Sequence, residues 1–165
     1  MGFYLIMGQN NSGKSLYAEN LAVENGNSRI YLATMQPTTE ENFKRIEKHI
    51  SQRSNKNFIT IEKPVDICDV CINNQDVVLL EDVSNLLANE IYTKQNDFNK
   101  VFKDIVQLSS KCKCLIAVTI SGMNPDMYSS DTSDYITQIN KLNSALCNFA
   151  DAVFTMENGN AVKIK

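Results

Sequence analysis

The sequence predicts an α/β fold: a doubly wound, mostly parallel sheet with a C-terminal antiparallel hairpin. Three observations carry that expectation. The apolar runs FYLIM (3–7) and VVLL (77–80) are continuous rather than alternating, as in strands covered on both faces. Such runs alternate with stretches of helical spacing, and Asn158-Gly159 separates two short apolar segments at the C-terminal end.

The elements follow in order. Residues 3–7 form a buried strand ending at Gly8, and beyond Lys14 the apolar positions Leu16, Ala18, Leu21 and Ala22 have helical spacing. ENGNS (24–28) is turn chemistry, and RIYLAT is a second strand ending at Thr34. Thr39 is the N-cap of a helix reaching about Arg53, with Glu40 and Glu41 complementing its first turn and Phe43, Ile46 and Ile50 as its apolar stripe. A short strand at 57–61 leads through Pro64 to a further helix, broken by Asn73-Asn74 before VVLL. Helices at about 83–93 and 97–110 precede the strand CLIAVT, a loop over 121–134 and a helix to Phe149. DAVFTM, Asn158-Gly159 and AVKIK then read as a hairpin with a type I′ turn. Ligands in such a sheet sit at the C-terminal ends of the strands, here Gly8, Thr34, Glu81 and Thr119.

Length and composition narrow the function. The 165 residues suit one domain, spanning 1–165, and 43% hydrophobic with 21% charged residues is ordinary globular composition. With 16 Lys+Arg against 19 Asp+Glu and no basic block, nucleic acid is not the expected partner. No apolar run reaches the length of a membrane span. The five cysteines lie in or beside apolar runs and point to a reducing, cytoplasmic compartment. Cys68-x-x-Cys71 has one histidine and no second pair to complete a tetrahedral site, so it reads as core packing. FYLIM is too short and lacks the basic flank of a signal peptide, and Ile6 stands where myristoylation requires Ser or Thr; the chain is expected to be soluble and unprocessed.

The chemistry concentrates in Gly8-Gln9-Asn10-Asn11-Ser12-Gly13-Lys14-Ser15, which fits G-x-x-x-x-G-K-[ST] between a strand and a helix. Loop N–H groups and the helix N-terminus cradle phosphate oxygens, Lys14 reaches the terminal phosphates and the Ser15 hydroxyl ligates Mg²⁺. The domain is therefore of P-loop nucleotide-binding type. Its Mg²⁺ needs a second acidic group, and VVLL runs into Glu81, which otherwise reads as a simple helix cap. His49 is the single histidine, with Arg45 and Arg53 four residues to either side on one helix face. That face is either a solvated polar surface or a phosphate-binding one, in which two guanidiniums lower the imidazole pKa and leave a nucleophilic nitrogen.

With these residues placed, the chain resembles the bifunctional adenosylcobinamide kinase / adenosylcobinamide-phosphate guanylyltransferase family of cobalamin biosynthesis. The resemblance rests on SGKS (12–15), YLAT with Gln36 and Pro37, then Glu41, Arg45-Ile46, His49 and Arg53. It continues through Phe58, Thr60, Glu62 and Pro64, LLE (79–81) with Asn89, and AD-x-V-F with the terminal VKIK. It implies that His49 takes GMP from GTP as a covalent guanylyl-imidazole and passes it to a phosphorylated corrinoid. It also implies GTP contacts by the loop, Ala33-Thr34, Arg53, Glu62 and Glu81, ATP or GTP as phosphate donor to adenosylcobinamide, and a homotrimer. Gln9, Asn11, Thr119–Gly122 and Ile136–Ser144 depart from the family pattern, with Asn143 retained in the last stretch. The GMP-transfer half thus matches more closely than the kinase half or the corrinoid contacts. Two other readings of the residues remain: a P-loop kinase for another small hydroxylated substrate, and a nucleotide-binding module that has lost catalysis.

Overall fold

The computed structural model describes residues 2–165. Its sheet has seven strands in the order β3-β2-β4-β5-β1-β6-β7. The strands are β1 (Gly2–Gly8), β2 (Arg29–Ala33), β3 (Phe58–Glu62), β4 (Val77–Glu81), β5 (Cys114–Ile120), β6 (Ala152–Glu157) and β7 (Asn160–Lys163). All pairings are parallel except β6 with β7. The helices are α1 (Lys14–Asn25), α2 (Glu40–Arg53), α3 (Val83–Lys94), α4 (Phe98–Ser109) and α5 (Ser130–Phe149). Among the described residues, no helix is long and apolar enough to cross a membrane.

The continuous apolar runs serve two cores. Leu5, Ile30, Leu32, Val78, Leu80, Leu115 and Ala117 face one cluster, packed with Leu86 and Leu87 of α3, Ile105 of α4 and Ile139 of α5. Their neighbours Ile6, Tyr31, Leu79, Ile116 and Val118 face the other, with Ala18 and Ala22 of α1. Period-two side-chain direction sends adjacent apolar residues into opposite cores, so neither face of a central strand has room for polar residues.

Local chemistry sets the element ends. Thr39 Oγ1 accepts from the Asn42 N–H at 3.2 Å, and Asp82 and Asp97 cap α3 and α4 in the same way. Asn158 and Gly159 both take positive φ (48° and 79°), the backbone a type I′ turn requires.

Three expectations need correction. The helix expected after Pro64 is a single 3₁₀ turn at Ile67–Asp69. Asp66, before it, is left-handed with φ 52°, and its N–H donates to Glu90 Oε1, which blocks a helical start. The final helix begins at Ser130, earlier than the polar loop composition suggests, so that loop ends sooner. Cys71 is exposed rather than packed in the core, whereas Cys112 and Cys114 are buried.

Candidate functional site

Strand β1 is flanked by β5 and β6, and it delivers residues 8–15 to the C-terminal end of the sheet centre. The loop turns back tightly over the strand end. A Cβ on Gly8 would meet Ser12 Oγ at 2.6 Å and Met156 Cβ at 3.1 Å, so glycine alone fits. Gly13, at φ 91°, makes the left-handed step into α1. Lys14 then donates to Gln9 O at 2.7 Å, and Ser15 Oγ donates to Glu81 Oε1 at 2.6 Å.

Electrostatics at this strand end are strained by burial. Burial first and the neighbouring Asp82 second push the Glu81 carboxyl up to about 8, against the Ser15 hydrogen bond and Lys14. Asp82 is also raised by burial, although Asn85 donates to it, and the Lys14 ammonium is lowered by burial against the pull of Asp82 and Glu81. Three ionisable groups thus lie where water is scarce.

Helix α2 forms the opposite wall. Arg53 is buried, its guanidinium lies 3.7 Å over the Tyr31 ring, and Nη2 donates to Thr60 Oγ1 at 3.2 Å. His49 lies one turn earlier, its pKa lowered by burial first, then by the charges of Arg53, Arg45 and Lys48. The stripe Phe43, Ile46, Ile50 does not enter either core. These residues line the same cavity, and Phe43 and Ile50 remain 55% and 52% exposed.

Between loop and helix lies a cavity of about 640 Å³. Asn10 to Ser15, Ala33, His49, Arg53, Glu62 and Glu81 all contribute to its wall. Gly8 and Gln9 stand outside it. Thr34 does too, because it is fully buried and its hydroxyl donates to Asp82 O and accepts from Asp82 N–H, both at 2.8 Å. Asn89 secures the same junction by donating to Thr34 O and Pro64 O.

Among the described residues, the buried side-chain nitrogen and oxygen atoms without a hydrogen-bond partner are Ser12 Oγ, His49 Nδ1, Arg53 Nη1 and Glu81 Oε2. All four residues line this one cavity. Unpaired buried polar groups cost free energy, and their convergence marks where a polar ligand belongs. Glu81 Oε2 and the adjacent Ser15 hydroxyl fit Mg²⁺, which takes few protein oxygens and completes its octahedron with water and phosphate. Among the described residues, no group of three or more His, Cys, Asp or Glu gathers into a self-sufficient metal centre.

Several wall residues escape the sequence reading. Tyr31 and Thr60 hold Arg53, while Asn85, Met123 and Tyr135 line the far side. A tyrosine in a buried strand reads as core, and no pattern distinguishes one that carries a guanidinium.

Comparison with known proteins agrees with this geometry. The family described as cobinamide kinase / cobinamide phosphate guanyltransferase matches residues 4–164. No curated protein matches the sequence. Among solved structures, the chain is similar to an ATP synthase subunit from Nanoarcheaum equitans, with 12% identity and a TM-score of 0.56 over 94% of this chain and 45% of that one. It is also similar to an ATPase from the type III secretion system of pathogenic bacteria, with 7% identity and a TM-score of 0.59 over 98% of this chain and 56% of that one. The chain therefore spans about half the length of these two structures, and at such identities the likeness is one of fold.

Proposed function

This chain belongs to the cobinamide kinase / cobinamide phosphate guanyltransferase family, enzymes of cobalamin biosynthesis, and from that membership we propose that it transfers GMP from GTP to adenosylcobinamide phosphate through His49. The observation carrying the reading is the convergence of four unpaired buried polar atoms on one cavity beside the phosphate loop.

The residues supply a consistent sequence of events. Loop N–H groups and Lys14 hold the triphosphate, and Arg53 offers its free Nη1 to phosphate oxygens. Bound Mg²⁺, held by Ser15 and Glu81, neutralises charge on the phosphates. His49 stays neutral near pH 7, because burial and three flanking cations disfavour its imidazolium, so a nitrogen lone pair is available. That nitrogen attacks the α-phosphorus, the bond to the bridging oxygen breaks, and pyrophosphate leaves with the electron pair. A phosphate oxygen of the corrinoid then attacks the same phosphorus, and the N–P bond breaks to restore the imidazole. In the kinase half, the same loop presents the γ-phosphate to the hydroxyl of adenosylcobinamide, with ATP or GTP as donor. A homotrimer working in the cytoplasm belongs to this proposal.

Incubation with GTP labelled at the α-phosphate tests the reading. Label should remain on the denatured protein, survive alkali and be lost in acid, as a phosphoramidate is, and His49→Asn should abolish it while GTP still binds. Absence of label in the wild type with Mg²⁺ present would leave a kinase for another hydroxylated substrate or a binding module.

A further inference from the structure

The catalytic scheme leaves one fully buried carboxylate without a task. Glu19 lies on α1, four residues after Ser15 and on the same helix face, with no solvent exposure. Its Oε1 accepts from Gln52 Nε2 at 2.9 Å and its Oε2 from Lys56 Nζ at 2.7 Å. Gln52 is three residues after His49 on α2, again on one face, and Lys56 lies just beyond the helix end. A continuous path therefore runs from Ser15 through Glu19 and Gln52 to His49.

Helix α2 needs such a fastening. Its apolar stripe lines the cavity instead of packing into a core, and its buried residue is Arg53. A buried ion pair is a weak source of stability, since apolar residues of similar volume often hold as well. What it supplies here is direction: two acceptor oxygens fix the rotation and height of the last turn of α2 against the helix that carries the phosphate loop.

We propose that Glu19, through Gln52 and Lys56, is a positioning residue that holds His49 at the cavity wall facing the nucleotide phosphates. Its consequence for catalysis rests on the guanylyl-transfer reading; its structural consequence does not.

The test pairs Glu19→Leu with Lys56→Met in one variant, which removes both charges together and leaves none buried alone. A second, milder variant is Gln52→Leu. Because His49 is the single histidine, its imidazole can be titrated by NMR without ambiguity. Arg45, Lys48 and Arg53 surround it on α2, while Lys14, Glu62, Glu81 and Asp82 are the charged groups on the facing wall. In the double variant, GTP affinity by calorimetry should stay near that of the wild type, since the loop is untouched. Labelling should slow by about 10²-fold, as small misplacements of a reacting group do. The imidazole pKa should move up toward its ordinary value as α2 loosens and water reaches it, with Gln52→Leu showing a smaller shift of the same sign. An unchanged titration in the folded variants overturns the proposal. If the double variant does not fold, Gln52→Leu decides alone. Should the wild type never label while the titration still shifts, the guanylyl-transfer reading fails and the positioning role of Glu19 stands.

Discussion

The Ser15 hydroxyl donates to Glu81 Oε1 at 2.6 Å across 66 positions of sequence, and the other oxygen of that carboxylate is buried without a partner. This contact joins the first turn of α1 to the end of β4. It holds the two side chains suited to Mg²⁺ together before any metal arrives.

Glu81→Gln should separate metal binding from folding. The folded pKa of about 8 lies above the ordinary carboxylate value of 4.5, so the fold binds the proton more tightly than the unfolded chain. The stability this confers is complete below about 4.5 and is lost as pH rises toward about 8. In metal-free protein, Glu81→Gln should therefore melt higher than the wild type at pH 8 and not at pH 4, while its Mg²⁺-dependent turnover falls. Scanning calorimetry at the two pH values, with a magnesium titration of activity, checks both halves. Lys14→Ala, by contrast, should weaken GTP binding by roughly 10- to 100-fold, the worth of a lost charge-assisted contact.

Labelling of His49 should persist into mild acid. The folded imidazole is depressed below its ordinary value, so it stays neutral and nucleophilic at pH values where a free histidine is protonated. The acid limb of a single-turnover pH–rate profile should therefore fall below about 6.5. The same group stabilises the fold fully above about 6.5 and loses that contribution as pH drops toward its folded pKa. Arg53→Met should move the limb upward, because it removes the largest of the three neighbouring charge effects.

Tyr31 should matter through its ring. Tyr31→Phe keeps the surface beneath the Arg53 guanidinium and should leave labelling nearly unchanged. Tyr31→Leu removes the stacking, worth up to about 2 kcal/mol for a desolvated pair, and should raise KM for GTP by roughly tenfold. Steady-state kinetics of the two variants measure the difference.

Gly8→Ala should damage the loop more than the fold. The added methyl meets Ser12 Oγ and the Met156 Cβ well inside contact distance, and relief must come from the loop because Met156 is paired in β6. A loss of about 1–3 kcal/mol in nucleotide binding is expected, read by calorimetry.

Much of this architecture is legible in the residues themselves. The loop motif, the helix capped by Thr39 and the Asn158-Gly159 turn each encode a local backbone conformation, and each stands where the pattern puts it. Continuous runs such as VVLL encode two-sided burial, which the paired cores bear out. The stripe Phe43, Ile46, Ile50 shows the limit of this reading. Periodicity reports that a helix has an apolar face, without saying whether that face covers a sheet or a cavity. Glu19 is hidden for a related reason: a carboxylate in a helix has the same spacing whether solvent or Gln52 and Lys56 receive it. The segment after Pro64 is helical in composition, and Asp66 and the distant Glu90 decide otherwise. Thr34 lies at a strand end, as ligand-binding residues do, yet the Asp82 backbone already occupies its hydroxyl.

The position of α2 outside both cores bears on how the molecule opens. Strands β1 and β5 are paired on both sides, so their amides exchange with solvent chiefly when the whole fold unfolds. Most residues of α2 touch neither core, and that helix should exchange its amides through small, frequent openings that leave the sheet intact. The phosphate cradle is thus rooted in the slowest-exchanging part of the chain and the proposed nucleophile in one of the fastest. Bound nucleotide, by occupying both Arg53 and the loop, should slow exchange in α2 far more than in β1, so that the ligand completes the folding of its own active site.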